Sequence, residues 1–120
     1  MSVRTAIYTL MSGLEPDVWP LKAPEGTSED HGVYFISREK IRSQDGTEFE
    51  EVRLRVEVYA DNYDNVIALA ATFEADLDIK DETVISGETL HVAYMENESD
   101  DYIWDEKKFN ITQEYTLKFY

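Results

Sequence analysis

The spacing of apolar residues changes abruptly in the middle of the chain. In residues 51–59, Val52, Leu54, Val56 and Val58 alternate with Arg53, Arg55, Glu57 and Tyr59. A period of two marks a strand with one buried face. From Tyr63 the apolar positions become Val66, Ile67, Ala70, Phe73 and Leu77, a stripe at helical spacing. Residues 51–77 therefore predict a strand, a tight joint at positions 59–61 and a helix folded back on a sheet. Asp61 or Asn62 suits the helix N-cap, and Asp64 suits its positive first turn.

The same reading extends to both ends. Residues 3–13 predict a helix whose inward stripe is Ile7, Leu10, Met11 and Leu14, with Ser2 as N-cap and Gly13 as stop. Residues 15–31 hold all three prolines (Pro16, Pro20, Pro24). They predict a loop with a short extended piece at Val18-Trp19, in which Trp19 and Leu21 are the buried residues. Residues 33–42 and 49–59 form a hairpin about Asp45-Gly46, a dipeptide suited to two-residue turns. That turn sets Phe35 opposite Val56 and Val33 opposite Val58. The polar half, residues 38–49, is expected to leave the core as an arm. Residues 83–86 and 90–95 predict strands about a turn at Gly87, residues 96–101 a charged turn, and residues 109–120 a final strand. In that strand Gln113 is the one polar break on the apolar side.

These elements predict an α+β fold in one domain spanning residues 1–120. Its antiparallel β-sheet carries a long projecting β-hairpin and packs against an N-terminal helix and a central helix. At 120 residues and 42 % hydrophobic composition, the chain can bury a core without staples. It has no cysteine, which excludes disulfides and thiolate metal sites and fits a cytoplasmic origin. No run of about 18 apolar residues is present to cross a membrane, and the N-terminal stretch lacks the cleavage site of a signal peptide.

Catalytic patterns are missing. His31 and His91 have no metal-ligand spacing, and no serine sits in a nucleophile elbow. The five glycines build no phosphate loop. Asp100, Asp101, Asp105 and Glu106 lack the spacing of a calcium loop. No enzyme activity, cofactor or metal is expected.

The charge is more informative. A net charge of −15 disfavours binding of free nucleic acid. It fits simple solubility, an acidic wall that DNA passes without sticking, or mimicry of DNA toward a basic host protein. Arg38, Lys40, Arg42, Arg53 and Arg55 place five of the 11 basic residues on the hairpin, whereas residues 95–106 hold six acids and no base. Two solvated surfaces are one reading of this asymmetry. The sharper one docks the hairpin of one subunit on the acidic segment of the next, and such head-to-tail contacts can close into a ring. Phe49 belongs to the hairpin side. Tyr102 and Trp104, flanked by Asp105 and Glu106, supply aromatic anchors of the kind enriched at protein contacts.

The order of elements, with its Val18-Trp19-Pro20 step and the run Tyr59-Ala60, Tyr63, Val66, Leu69, Ala70 and Leu77, resembles the tail terminator (tail completion) proteins of long-tailed bacteriophages. Residues 101–120 are similar to that family's last strand, while Gly32 stands where the pattern has a proline. The resemblance implies a hexameric ring in the neck region of the virion tail, assembled in the host cytoplasm. Such a ring ends polymerisation of the major tail tube protein and joins the tail to a head-completion or connector protein, and DNA passes its lumen without specific binding. Another neck or tail component, an adaptor or tube subunit, and an acidic DNA mimic are the rival readings.

Overall fold

The computed structural model describes residues 3–12, 18–20, 30–42 and 48–119, without the side chains at 18, 19, 41, 42 and 48. The elements are α1 (Val3–Ser12), β1 (Val18–Pro20), β2 (His31–Arg42), β3 (Glu48–Ala60), α2 (Tyr63–Leu77), β4 (Thr83–Ile85), β5 (Glu88–Ile103) and β6 (Lys108–Phe119). They form one sheet in the order β1-β2-β3-β6-β5-β4. Five strands are antiparallel, and β1 lies parallel on the outer edge of β2 over Gly32, Val33 and Tyr34. This is the α+β architecture expected, with a helix from each predicted region. The positions expected to act at Ser2, Gly13, Leu14, Leu21 and Asp45-Gly46, and the side chain of Trp19, lie outside the described residues.

The core forms between the helices and one sheet face. Val52, Leu54, Val56, Val58 and Ala60 of β3 and Ile111, Tyr115, Leu117 and Phe119 of β6 are buried there. From α1 come Val3, Ala6, Ile7 and Met11, and from α2 come Val66, Ala70, Phe73 and Leu77. Asn62 is the N-cap of α2, its Oδ1 accepting from the Asn65 backbone N–H at 2.8 Å. Ile67, placed by its spacing on the inward stripe, is 44 % exposed. The positions 66, 70, 73 and 77 already fill the contact arc, and Ile67 falls about 100° around the helix from Val66.

Gln113 explains itself. It is fully buried in mid-core, where its Nε2 donates to the Ala70 carbonyl of α2 at 2.9 Å and to Glu98 Oε2 at 2.7 Å. Its Oε1 accepts from the Tyr115 hydroxyl at 2.6 Å. One amide thus ties α2 to two strands, and among the described residues no buried side-chain polar atom lacks a partner.

Two expectations are corrected. The β2–β3 register is one residue away from the one a two-residue turn would impose. Tyr34 faces Val56, and Phe35 faces Arg55. A one-residue shift flips every side chain of a strand, and the observed register sends the buried Tyr34 to the core face and Phe35 to the other. Residues 96–101, expected as a turn, lie inside β5. Their partners on β6 run from Glu114 to Asn110, past a bulge between Met95 and Asn97. Charged side chains suit a strand here because residues 96–101 are exposed. The reversal comes later, at residues 104–107, where Lys107 has φ 55°.

Candidate functional site

The two strands of the hairpin carry side chains to both faces of the sheet, and this divides its basic residues. Arg38 and Lys40 lie opposite Val52 and Glu50, on the helix-bearing face, whereas Arg53 and Arg55 pair with Ser37 and Phe35 on the other. Arg42 occupies the last position of β2. The Arg38 guanidinium is ion-paired with Glu50. Together with Arg4, Ile36 and Lys40 they line an open groove beside α1.

On the open face Arg55 Nε meets Glu57 Oε2 at 3.1 Å, and its guanidinium lies 4.4 Å from the centre of the Phe35 ring. Arg53 Nη2 is 3.7 Å from Glu51. A groove of about 260 Å³ runs between these residues and Glu96 and Glu114. Thr116, buried beneath, donates to Glu96 Oε1 at 2.7 Å. Phe49 lines a smaller recess with His91, Lys118 and Phe119. Tyr59 donates to Glu57 at 2.7 Å. Burial, then that bond and the Glu57 charge, raise its hydroxyl pKa well above the usual tyrosine range, with Glu106 adding to the effect.

The aromatic and acidic residues gather at the other end of the strands. Tyr102 packs edge-on against Trp104 at 4.8 Å and against Phe109 at 4.9 Å. Trp104 is 81 % exposed and shares its turn with the exposed Asp105 and Glu106. Tyr63 completes the cluster, 5.6 Å from Phe109, and its hydroxyl donates to Asp100 Oδ2 at 2.6 Å. That bond, then the Asp100 charge, raises the Tyr63 pKa. Lys108 Nζ bonds Asp61 Oδ1 at 2.6 Å and ties the turn to the strand–helix joint.

The hairpin end at Arg42 and Glu48 and this aromatic turn are therefore far apart within one subunit. The molecule extends 51 Å along its long axis, and β3 alone spans about 40 Å at roughly 3.3 Å per residue. The sequence grouped Arg38, Lys40, Arg42, Phe49, Arg53 and Arg55 as one patch. The structure keeps them on one hairpin but on two faces, and it brings Tyr102, Trp104, Asp105 and Glu106 together. Sequence reasoning missed Tyr63 as a member of this cluster, because its contacts with Phe109 and Asp100 join positions far apart along the chain.

Among the described residues no group of three or more His, Asp or Glu is placed to hold a metal ion, and no helix is long and apolar enough to cross a membrane. No protein-family model matches the chain, and no curated protein matches it. A solved structure does. A chain of the structure described as "Virion of native gene transfer agent (GTA) particle" superposes with a TM-score of 0.74 at 11 % identity. The match covers 97 % of this chain and 92 % of that one. The likeness is one of fold.

Proposed function

We propose that this chain is a structural virion protein. It forms a ring at the head-proximal end of a phage tail tube, ends tube polymerisation and joins the tail to the head connector. The observation that carries the reading is the fold shared, over nearly the whole of both chains, with a component of a virion particle. The sequence resemblance to tail terminators supports the more specific role, and the surfaces suit it. The contact between subunits is built from Arg38, Lys40, Arg42, Phe49, Arg53 and Arg55 of one copy and Tyr102, Trp104, Asp105 and Glu106 of the next. A heterologous contact of this kind closes into a ring when its rotation allows, and a hexamer is the size expected. The partners are the major tail tube protein and a head-completion or connector protein. DNA passes through the lumen unbound, repelled by the acidic excess. The work is steric and interfacial, without turnover.

Native mass spectrometry and electron microscopy of the purified chain test the ring. A closed oligomer is expected, and a monomer at every concentration refutes the reading. Another neck or tail component shares the fold-based support. Adding the ring to polymerising tube protein separates the two, because only a terminator stops growth.

A further inference from the structure

Among the described residues, both edges of the sheet are only partly covered. On β5, pairing with β4 ends at Leu90 and the bridge to Ile79 lies at Ala93. Beyond it the outer edge meets no described strand through Ile103. On β2, β1 pairs with Gly32 to Tyr34, and among the described residues no strand pairs with the outer edge of residues 35–42. Unpaired edges invite addition of another strand, and charge on them selects which one. Here the charges are of opposite sign. Residues 36–42 hold three bases and one acid, and residues 96–103 hold four acids and no base. Like edges repel, and unlike edges attract.

We propose that neighbouring copies join by antiparallel addition of β2 of one subunit to β5 of the next, in a register that sets Arg38 opposite Asp100. This inference rests on the ring reading above and states how its subunit contact is made. The register follows from the faces. Arg38 and Lys40 share the helix-bearing face with Val52 and Glu50, and Glu98, Asp100 and Tyr102 share it with Gln113, Ile111 and Phe109. A continuous sheet keeps faces matched. With Arg38 opposite Asp100, Lys40 then meets Glu98 and Ile36 meets Tyr102. Each of these three pairs is complementary.

The offset agrees with closure. Within one subunit, Asp100 lies level with Ile111, Val58 and Gly32 across the sheet. Setting it opposite the neighbour's Arg38 displaces that neighbour by six positions, about 20 Å along the strands at roughly 3.3 Å per residue. From one β2 to the β2 of the next subunit there are four strand spacings, about 19 Å at roughly 4.8 Å each. The ratio gives a strand tilt of about 45°, close to the tilt that closed sheets adopt.

The chain has no cysteine, which makes the test clean. In this register Glu39 faces Ser99 of the neighbour. Both are exposed, and within one subunit they lie about 25 Å apart by the same spacings, beyond the reach of a disulfide. Mild oxidation of the Glu39→Cys/Ser99→Cys chain should give a ladder of covalent oligomers up to the mass of the ring. Glu39→Cys/Asp101→Cys, two positions out of register, should give at least tenfold less. On the unmodified chain, amides of residues 97–103 should exchange at least tenfold more slowly in the ring than in the dissociated subunit. A ring that forms with neither the 39–99 crosslink nor this protection overturns the edge pairing and leaves the ring reading standing. A chain that never forms a ring overturns both.

Discussion

Replacing Gln113 with leucine keeps the volume of the side chain and deletes its three hydrogen bonds. The consequences differ among its partners. The Ala70 carbonyl retains the Glu74 N–H of its own helix as partner, and the exposed Glu98 carboxylate returns to water. The Tyr115 hydroxyl is stranded, because its residue is 1 % exposed and its bond to Gln113 Oε1 is lost. Leaving one buried polar group unsatisfied costs about 1–3 kcal/mol, whereas replacing both partners by apolar groups is nearly neutral. Gln113→Leu should therefore destabilise the fold by about 2 kcal/mol, lowering Tm by roughly 8 °C for a domain of this size. Tyr115→Phe alone should cost about 1–2 kcal/mol by orphaning the Gln113 oxygen. The double variant should return to within about 1 kcal/mol of the parent, a favourable coupling across the pair. Urea titrations followed by circular dichroism, at one protein concentration, read all four chains. A double variant that loses the sum of the two single losses refutes the reasoning.

Asn62→Ala removes the cap of α2 and should cost about 1 kcal/mol, seen as a lower urea midpoint; an unchanged midpoint would remove the cap from the account. The Tyr115 hydroxyl has its pKa raised above the ordinary 10.0, first by burial and then by Glu74, Glu98 and Asp78. Stability from this group is complete below the unfolded value and is lost as pH rises beyond it toward the folded one. Urea midpoints measured above pH 10 should fall, less steeply in Tyr115→Phe. Charge reversal of Arg38, Lys40 and Arg42 to glutamate should weaken self-association at low salt, and an unchanged mass by light scattering would refute their place in the subunit contact. Trp104→Ser, at an exposed position, should leave the urea midpoint within about 0.5 kcal/mol of the parent while lowering the oligomer mass; loss of stability with the oligomer intact would make Trp104 a structural residue instead.

The strands and helices with a strict period were legible in the sequence. The alternation in residues 51–59 and the 66, 70, 73, 77 stripe state their buried faces outright, because each position repeats the same instruction. The hairpin register was not legible from Asp45-Gly46. A dipeptide of this kind suits hairpin loops of two or of three residues, whose registers differ by one, whereas the alignment of the buried Tyr34 with Val56 belongs to the tertiary fold. The acidic stretch 96–101 read as a turn because charge is usually expelled from strands; its outer edge, without a described strand beside it, removes that objection. Of the candidate site, the grouping of Tyr102, Trp104, Asp105 and Glu106 was visible as sequence neighbours. The division of Arg38 and Lys40 from Arg53 and Arg55 followed from strand parity once the register was known. Tyr63, brought to Asp100 by tertiary packing, was beyond what local spacing reveals.

The hairpin register has a practical meaning. Tyr34 and Val56 are both buried and face each other, so a slip of one residue would turn one of them out of the core. The pairing of β2 with β3 therefore works as a ratchet with steps of two. A single residue inserted within β2 would turn over every side chain on one side of the insertion while β3 stays in place.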